Sequence, residues 1–535
     1  MIADRNARIY AFITVGLVVV AAALFWFTSS QRERELLAVN TLFLAGWTCL
    51  LAVPIGTLLA LMIARTDLPL RRTFGVLMVI TLFLPLYTQT AAWQAGFGQQ
   101  GSFAHWLDGW RGAIWIHACA AIPWVVVIVA LALRNIEPQL EEAAMLNASP
   151  SRVFWHVTLR RSWFAILAAT VWISVQTAGE FTVTDMWWLR THAEDIFRGF
   201  AVGETPEETA FGILPSVAAT SILLLAILIV LQRWLAQESP APTRPLRKYE
   251  LGFLRWPAFL LASAVVVCLL GVPLANLCVQ LGMVVNKAGD GSLQRTWSMS
   301  HALEMFAFST WEFRREVIWS LGTSVIAAAS AVVIAVPLVW FACRRDKASK
   351  LRGDFSALPM IALAAVLLAI PGPLLGIGLS WLFNAPNWSW LNFLYDRSIT
   401  APTVALTLRA LPIVMIVLWY ALRSVPQKTL DAAAVDGAGF WRQLGWVALP
   451  QRKLAIAAAW LIGVVIALGD LSASFLVLPP GVSPLSRRIF EEVHYGVPDQ
   501  VAGITLVTML LSSTIVLVAL LLFWLAGRRT PRSTW

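Results

Sequence analysis

The stretch LDAAAVDGAGFWRQLGWVALP, residues 430–450, separates two long apolar runs in the second half of the sequence. It begins with alanines, which have the highest helix propensity, and with Asp431, an acid suited to the positive end of a helix dipole. Gly437 follows, and glycine readily adopts the left-handed conformation that ends many helices. An amphipathic segment comes next. The pattern predicts a short helix, a turn and a second helix that project from the apolar runs.

The apolar runs themselves place the chain in a membrane. Of its 535 residues 59% are hydrophobic and only 13% are charged, with a mean hydropathy of +0.72, whereas soluble proteins have about 25% charged residues. A helix needs roughly 20 apolar residues to cross a bilayer. The sequence therefore predicts an all-α integral membrane protein with about twelve transmembrane helices, at 9–28, 38–63, 74–93, 112–133, 163–180, 211–235, 256–281, 318–342, 358–383, 401–421, 454–477 and 501–526.

The sequence also contains an internal repeat with an offset of about 290 residues. AGEFTVT (178–184) aligns with LGDLSAS (468–474), and DIFRGFAVG (195–203) aligns with RIFEEVHYG (488–496). Each half holds an even number of predicted helices, so the two six-helix repeats should be parallel. We expect these segments: a helix and outer loop at 1–36, a repeat unit at 37–235, a linker at 236–255, a helix and outer loop at 256–315, a repeat unit at 316–526 and a tail at 527–535.

The opening stretch recurs in the first half as LEEAAMLNASPSRVFWHVTLR, residues 140–160. Glu141 and Glu142 supply the acids of the first turn, and Asn147 takes the place of the glycine because asparagine tolerates the left-handed conformation. Both copies lie between the fourth and fifth predicted helices of their half. A duplicated, apolar-faced element outside the membrane favours a docking site for a partner, and two surface loops without a partner are the alternative.

The net charge of +10 reflects membrane topology. With a cytoplasmic N-terminus, 27 of the 40 Lys and Arg residues fall in or next to cytoplasmic segments and 12 fall in outer loops, as the positive-inside rule requires. This orientation predicts cytoplasmic N- and C-termini and no nucleic-acid partner. None of the five cysteines forms a CxxC pair, so neither a disulfide framework nor a metal site is expected.

The pattern Glu-Ala-Ala, three residues, Gly and a terminal Leu-Pro resembles the coupling-loop signature of ABC importer permeases, the membrane subunits that work with a substrate-binding protein. The second copy matches closely, with Asp in place of Glu, whereas the first copy has a shorter spacing, Asn147 in place of Gly and Arg160 in place of Pro. On this resemblance the candidate coupling residues are Glu141, Glu142, Ala143, Ala144, Asn147, Asp431, Ala432, Ala433, Gly437, Leu449 and Pro450.

The resemblance implies the type I permease fold of ABC importers and a place in the inner membrane of a bacterium, among membrane lipids. It also implies two cytoplasmic ABC ATPase subunits, docked at 137–161 and 426–451, and a periplasmic or lipid-anchored substrate-binding protein. No cofactor is implied for this chain. The stretches ALGDLSASFLVLPPG and RRIFEEVHYG make the chain similar to the ferric-iron and thiamine permease group. Ferric iron is the expected substrate, and thiamine, phosphonate and polyamine are the alternatives.

Other functional classes have less support in the sequence. It contains no P-loop, HExxH or GxSxG, so we expect no enzyme activity in this chain and ATP hydrolysis on a separate subunit. An ion-coupled secondary transporter would also favour twelve helices in two parallel halves, but it does not explain the paired Ala-rich loops. A membrane-embedded enzyme or scaffold would need clustered nucleophiles, acids or metal ligands.

Two charges are predicted to lie at the same depth in the membrane. Arg409 and Asp470 fall on successive predicted helices of the second half, and Glu180 and His117 occupy corresponding places in the first half. A charge at the bilayer centre costs about 2.5–3.5 kcal/mol even on the lower scales. Either each cation and carboxylate neutralise each other and tie two helices together, or they line the route of the substrate.

Prolines interrupt one predicted helix in each half. IPGPLLGIGLSW (370–381) contains Pro371 and Pro373 among three glycines, and LFLPLYTQT in the first half contains Pro85. Proline removes a backbone donor and kinks a helix, while glycines four residues apart permit close helix packing. Close packing or a flexing helix beside the substrate route would each explain the pattern.

Overall fold

The computed structural model describes residues 32–98, 101, 103–104, 106–134, 136, 138–202, 217–218, 220–229, 249–287, 293–345, 357–386, 388–495 and 497–528. The predicted helix at 9–28 and most of the helix at 211–235, of the linker and of the tail lie outside these residues. The helices of the first half are α1 (Arg32–Arg65), α2 (Arg71–Leu82), α3 (Leu86–Phe97), α4 (Gly109–Arg134), α5 (Pro138–Met145), α6 (Pro150–Val153), α7 (Arg160–Ala178), α8 (Thr182–Met186), α9 (His192–Ala201) and α10 (Thr220–Ile229).

The second half repeats the main helices of this order after three further helices and a hairpin. Its elements are α11 (Arg255–Val266), α12 (Val272–Leu281), β1 (Met283–Lys287), β2 (Leu293–Trp297), α13 (Met299–Glu312), α14 (Arg314–Arg345), α15 (Leu358–Ala369), α16 (Gly372–Phe383), α17 (Ser389–Arg397), α18 (Thr400–Arg423), α19 (Gln427–Val435), α20 (Phe440–Arg442), α21 (Leu449–Gly469), α22 (Leu485–Tyr495) and α23 (Pro498–Arg528). The antiparallel hairpin of β1 and β2 lies in the segment expected to be an outer loop, and the sequence did not predict it.

The prediction of an all-α integral membrane protein is confirmed, whereas the predicted number of about twelve membrane helices is not. Within the described residues, seven helical stretches are long and apolar enough to cross a membrane: Leu36–Arg65, Gly109–Arg134, Gly252–Leu281, Arg314–Cys343, Thr400–Arg423, Phe440–Gly469 and Pro498–Ala526. Two further predicted spans, 74–93 and 358–383, are each a pair of helices bent sharply at a short break. The predicted span at 454–477 ends as a helix at Gly469, so its last eight residues are not part of α21.

The two bent pairs occupy equivalent places in the two halves and have similar angles. The axes of α2 and α3 meet at 98°, and those of α15 and α16 meet at 101°. Pro85 and Pro371 stand at the breaks with extended ψ angles of 135° and 144°. Proline has no N–H to continue a helix and drives the preceding residue out of the helical region. The polypeptide therefore bends at these prolines by a much larger angle than the helix kink that the sequence predicted.

Each half contains an equivalent set of three helices that pack against one another. In the first half α1 packs along α4, and both contact α7; in the second half α14 packs along α18, and both contact α21. Alanines such as Ala52, Ala113, Ala331 and Ala410 are fully buried in these interfaces. Small residues let helix backbones approach closely, and the resulting van der Waals packing contributes to helix association in a membrane.

Candidate functional site: two projecting loops and a central cavity

The two stretches singled out in the sequence fold alike. The first loop, residues 138–160, contains α5, a turn, α6 and a π-helical segment at Phe154–Leu159 that leads into α7. The second loop, residues 427–450, contains α19, a turn, α20 and a π-helical segment at Gln443–Ala448 that leads into α21. The predicted arrangement of helix, turn and helix is present in both loops. The π-helical segments were not predicted, and such segments occur frequently at functional sites.

The helix of the second loop ends in a Schellman motif. Gly437 has φ +80°, as its place after the helix requires. Its N–H donates to the carbonyl of Ala434 at 3.0 Å, and the N–H of Ala438 donates to the carbonyl of Ala433 at 2.8 Å. These two bonds are the pair that defines the motif, so the turn is fixed by its own backbone.

The helix of the first loop ends differently. The N–H of Leu146 donates to the carbonyl of Ala143 at 3.3 Å, and that of Asn147 donates to the carbonyl of Ala144 at 3.2 Å. Both bonds span three residues, as in a 3₁₀ turn. In the part of the chain that the structure describes, the non-glycine residues with positive φ are Leu70 and Trp188. The expectation of a left-handed Asn147 is therefore wrong, because the tighter turn closes the helix without it.

The acids of the two loops have different surroundings. Glu141 is fully buried and forms an ion pair with Arg65, at the end of α1. Thr158 donates a hydrogen bond of 2.6 Å to Glu141, and the hydroxyls of Thr158 and Tyr249 lie 3.0 Å apart. Glu142, in contrast, is exposed. The carboxylate of Glu141 thus joins the first loop to α1 and to the described end of the linker.

In the second loop the corresponding anchor is apolar. The π-helical segments are offset by 289 residues, which pairs Glu141 with Leu430. Leu430 is buried in a cluster with Leu422, Val425 and Leu444. Asp431 is exposed and accepts a hydrogen bond of 2.5 Å from the side chain of Gln427. The acid of the second loop is therefore available at the surface.

Both loops present apolar side chains outward. Leu146 and Val435, which the same offset pairs, are 84% and 87% exposed at the ends of α5 and α19. Trp155 in the first loop and Trp446 in the second are also exposed. The remaining candidate residues form the flanks: Ala143, Ala432 and Pro450 are exposed, and Ala144, Ala433 and Leu449 are half-buried. Leu146 and Val435 were not among the residues predicted from the sequence, although Val435 directly follows the alanine run and Leu146 follows it after one residue.

The four intramembrane candidates form one pair of a basic side chain and a carboxyl group in each half. In the second half the Nε of Arg409 lies 3.3 Å from Oδ1 of Asp470, and in the first half Nε2 of His117 lies 3.7 Å from Oε2 of Glu180. Arg409 also donates to the carbonyl of Ile370, at the break of the bent helix pair. The structure therefore brings together the residues that the sequence paired by depth.

Each carboxylate of these pairs also binds the backbone of the turn that follows it. Glu180 accepts hydrogen bonds from the N–H groups of Thr182 and Val183, at 2.8 and 3.0 Å. Asp470 accepts them from Ala473 and Ser474, at 3.1 and 3.2 Å. Backbone donors stabilise an ionised carboxylate in a poorly hydrated place. The two carboxylates thus bind the turns that follow α7 and α21 in the same way.

A cavity of about 240 Å³ lies between the two halves and contains both pairs in its wall. Its lining includes Pro85, His117, Glu180, Pro371, Arg409 and Asp470. The backbones of the two halves approach each other closely here. A Cβ atom placed on Gly179 would lie 3.7 Å from Cα of Pro371, and a Cβ atom placed on Gly469 would lie 3.7 Å from Cα of Pro85. The ends of α7 and α21 therefore each rest on the break of the bent pair in the other half.

Aromatic side chains from both halves also contact each other. The rings of Phe197 on α9 and Phe490 on α22 are 6.3 Å apart, and both contact Phe475. The repeat pairs Phe197 with Phe490, so the alignment of their segments could have identified this contact. Close by, Nε2 of His494 lies 3.3 Å from Oδ2 of Asp185, and this hydrogen bond raises the pKa of His494.

Comparison with known proteins gives a family match in the first half. Residues 52–240 match the family described as “Binding-protein-dependent transport system inner membrane component”. This range begins inside α1 and includes the bent pair α2–α3, the first loop and Glu180. The family consists of transport permeases and not of enzymes.

Individual relatives differ in how much of the chain they resemble. The Fe(3+)-transport system permease protein FbpB 2 of Haemophilus influenzae is 23% identical over 472 residues, which are 86% of this chain and 84% of the relative. The molybdenum transport system permease protein ModB of the same organism is 28% identical over 220 residues, 38% of this chain and 94% of the relative. The spermidine/putrescine transport system permease protein PotC of Escherichia coli K12 is 27% identical over 112 residues, 21% of this chain and 42% of the relative.

Proposed function

Because the chain is a permease of the binding-protein-dependent ABC importer family, with two permease domains fused in one polypeptide, we propose that it moves its substrate across the inner membrane by alternating access driven by two ATPase subunits. One subunit docks on the first loop and the other on the second. The observation that carries this proposal is the pair of equivalent tips, Leu146 and Val435, which are both more than 80% exposed. Exposed apolar residues at the ends of two rigid helices suit a protein interface.

The proposed orientation puts both loops, the linker and both chain ends in the cytoplasm. The permease domains are then 37–235 and 316–526, and a substrate-binding protein delivers the substrate from the other side. The positive-inside distribution supports this orientation. It is tested with cysteines introduced at Ser151 and Ala438, which should react with an impermeant thiol reagent only after the cells are permeabilised. Reaction in intact cells would rule out the parallel arrangement of the repeats.

The proposed substrate is ferric iron. Support comes from the relative that resembles this chain over most of its length and is named as an Fe(3+)-transport permease. ModB and PotC resemble smaller parts of the chain and are named for other substrates. The experiment is uptake of labelled iron(III), molybdate and putrescine by cells with and without this chain, with its neighbouring transport components present. Loss of iron(III) uptake alone is expected, whereas loss of only molybdate or putrescine uptake would contradict the assignment.

Within the membrane we propose that the pairs His117–Glu180 and Arg409–Asp470 hold the turns after α7 and α21 in place beside the substrate route. The hydrogen bonds from two backbone N–H groups to each carboxylate support a positioning role. Movement of the loops would reach these turns along α7 and α21, which connect each loop directly to its turn. The cavity between the turns and the bent helix pairs is then the place that opens to alternate sides.

A further inference from the structure

A second cavity is lined almost entirely by residues of the first half and shares no lining residue with the central cavity. It has a volume of about 570 Å³, within the usual range of about 300–1,000 Å³ for ligand sites. Its walls come from α1, α2, α4 and one residue of α23, Leu520. Most of the lining is aliphatic and includes Val76, Val79 and Val127. We call this cavity the arginine groove, after the three arginines that line one end of it.

The arginines of the groove are Arg71 and Arg72 at the start of α2 and Arg134 at the end of α4. Arg71 donates to the carbonyl of Thr66 at 3.2 Å. Arg72 and Arg134 are exposed, and in the part of the chain that the structure describes neither forms an ion pair. Three guanidinium groups at one end of an apolar groove leave a positive charge that an anion would neutralise.

We infer that the arginine groove binds one anionic phospholipid, with its phosphate on the arginines and its acyl chains along the aliphatic wall. The two parts of the groove match the two parts of such a lipid. Guanidinium groups bind phosphate oxygens in a paired, planar geometry, and basic pockets between transmembrane helices are suited to anionic headgroups. A soluble phosphate compound would leave the aliphatic wall unfilled, and a neutral lipid would leave the arginines without an anion.

The position of the groove gives the lipid a consequence for the first loop. Arg134 ends α4, and α5 begins four residues later at Pro138. The groove therefore lies at the end of the helix bundle from which the first loop projects. A lipid bound here would hold α2 against α4 beside the first loop.

The inference is tested with the full chain purified from membranes and titrated with phosphatidylglycerol in detergent, with native mass spectrometry as the readout. The double variant Arg72→Gln/Arg134→Gln should bind this lipid about 30-fold more weakly, because each arginine near an anionic lipid contributes roughly five- to sixfold. The matched control is Arg160→Gln/Arg161→Gln, which removes two exposed arginines at the start of α7. The control should bind like the wild type, and equal binding by both double variants would overturn the inference.

Two further measurements separate the alternative occupants. Val76→Trp fills the aliphatic wall but keeps the arginines, so it should weaken binding of phosphatidylglycerol and leave any binding of inorganic phosphate unchanged. Phosphatidylcholine should bind the wild type no better than it binds Arg72→Gln/Arg134→Gln. A photoreactive side chain at Val79 should crosslink to lipid in membranes. Crosslinking to a peptide of this chain or of an ATPase subunit would show that protein covers the groove and would overturn the inference.

Discussion

The first and second loops have the same outline but are held by different interactions. In the first loop Glu141 is buried against Arg65, Thr158 and Tyr249. In the second loop Leu430 occupies the equivalent place in an apolar cluster. The difference shows that the repeat preserves the shape of the projecting element, including its π-helical segment, while the contacts that fix it have diverged.

The two anchors also respond differently to substitution. A buried ion pair contributes little net stability compared with apolar residues of the same shape, but removing one partner leaves an uncompensated charge. A buried leucine contributes through the apolar area it removes from water. The first loop should therefore be sensitive to single changes and tolerant of paired ones, whereas the second should tolerate any apolar residue of similar size.

The largest expected effect follows from Glu141→Ala. The variant leaves Arg65 charged and buried, and breaking such a pair costs about 3–5 kcal/mol. We expect a marked fall in thermal stability and in the amount of chain in the membrane. Glu142→Ala is the control, because Glu142 is exposed and surface changes stay within about 0.5 kcal/mol. Stability should return in the double variant Arg65→Met/Glu141→Leu, and equal stability of the two single alanine variants would contradict this account.

A somewhat smaller effect is expected at Arg409 and Asp470. Their pair is less enclosed, since the side chain of Arg409 is 22% exposed, so a single alanine substitution should cost about 3 kcal/mol, the lower end of the range for buried pairs. The double alanine variant should recover much of the folded protein. His117→Ala in the first half should cost less, because Nε2 of His117 lies 3.7 Å from Oε2 of Glu180, beyond hydrogen-bond distance, and Glu180 keeps its two backbone hydrogen bonds.

Membrane abundance and uptake, measured across the double-mutant cycle, distinguish the two roles of this pair. A positioning pair gives strongly non-additive losses of folded protein. If the residues only line the substrate route, the single variants should fold normally and transport poorly, and the double variant should be no better. Additive losses of both quantities would mean that the side chains do not interact.

A third, smaller effect on uptake should differ between the turn at Gly437 in the second loop and the turn at Asn147 in the first. Gly437→Val forces a β-branched residue into φ +80°, which costs of order 1–3 kcal/mol locally. The strain should misplace α19 and reduce uptake while the amount of chain in the membrane persists. Asn147→Val should have less effect, because Asn147 does not adopt positive φ. An equal loss of uptake in both variants would contradict the difference between the turns.

The sequence predicted the elements whose signals are local. Apolar runs located the membrane helices, and the alanines with Gly437 predicted the loops. The bends at Pro85 and Pro371 are larger than the kinks that the sequence predicted. Hydropathy shows that a segment is apolar but does not give the direction of its helix axis. The pair of Arg65 and Glu141 could not be predicted either, since its partners are 76 residues apart and on different helices.

Some of the remaining features were accessible from the repeat. The alignment pairs Phe197 with Phe490, and residues that a repeat pairs can meet where its two halves contact each other, as these do. The contact of Arg409 with Asp470 could be predicted from their equal depth in the membrane, because two neighbouring helices that cross the same membrane bring residues at equal depth together. The π-helical segments have no compositional signal, so the sequence alone did not reveal them.

Crosslinking from the loop tips tests the proposed docking most directly. Single cysteines at Leu146 and Val435, in a chain without its five native cysteines, would be treated with a short bifunctional thiol reagent in membranes that contain the ATPase. The docking proposal predicts that both tips crosslink to ATPase subunits, and that Leu146→Asp and Val435→Asp each reduce uptake without lowering membrane abundance. If neither tip crosslinks, and uptake is normal in both aspartate variants, the two loops are not the ATPase docking sites.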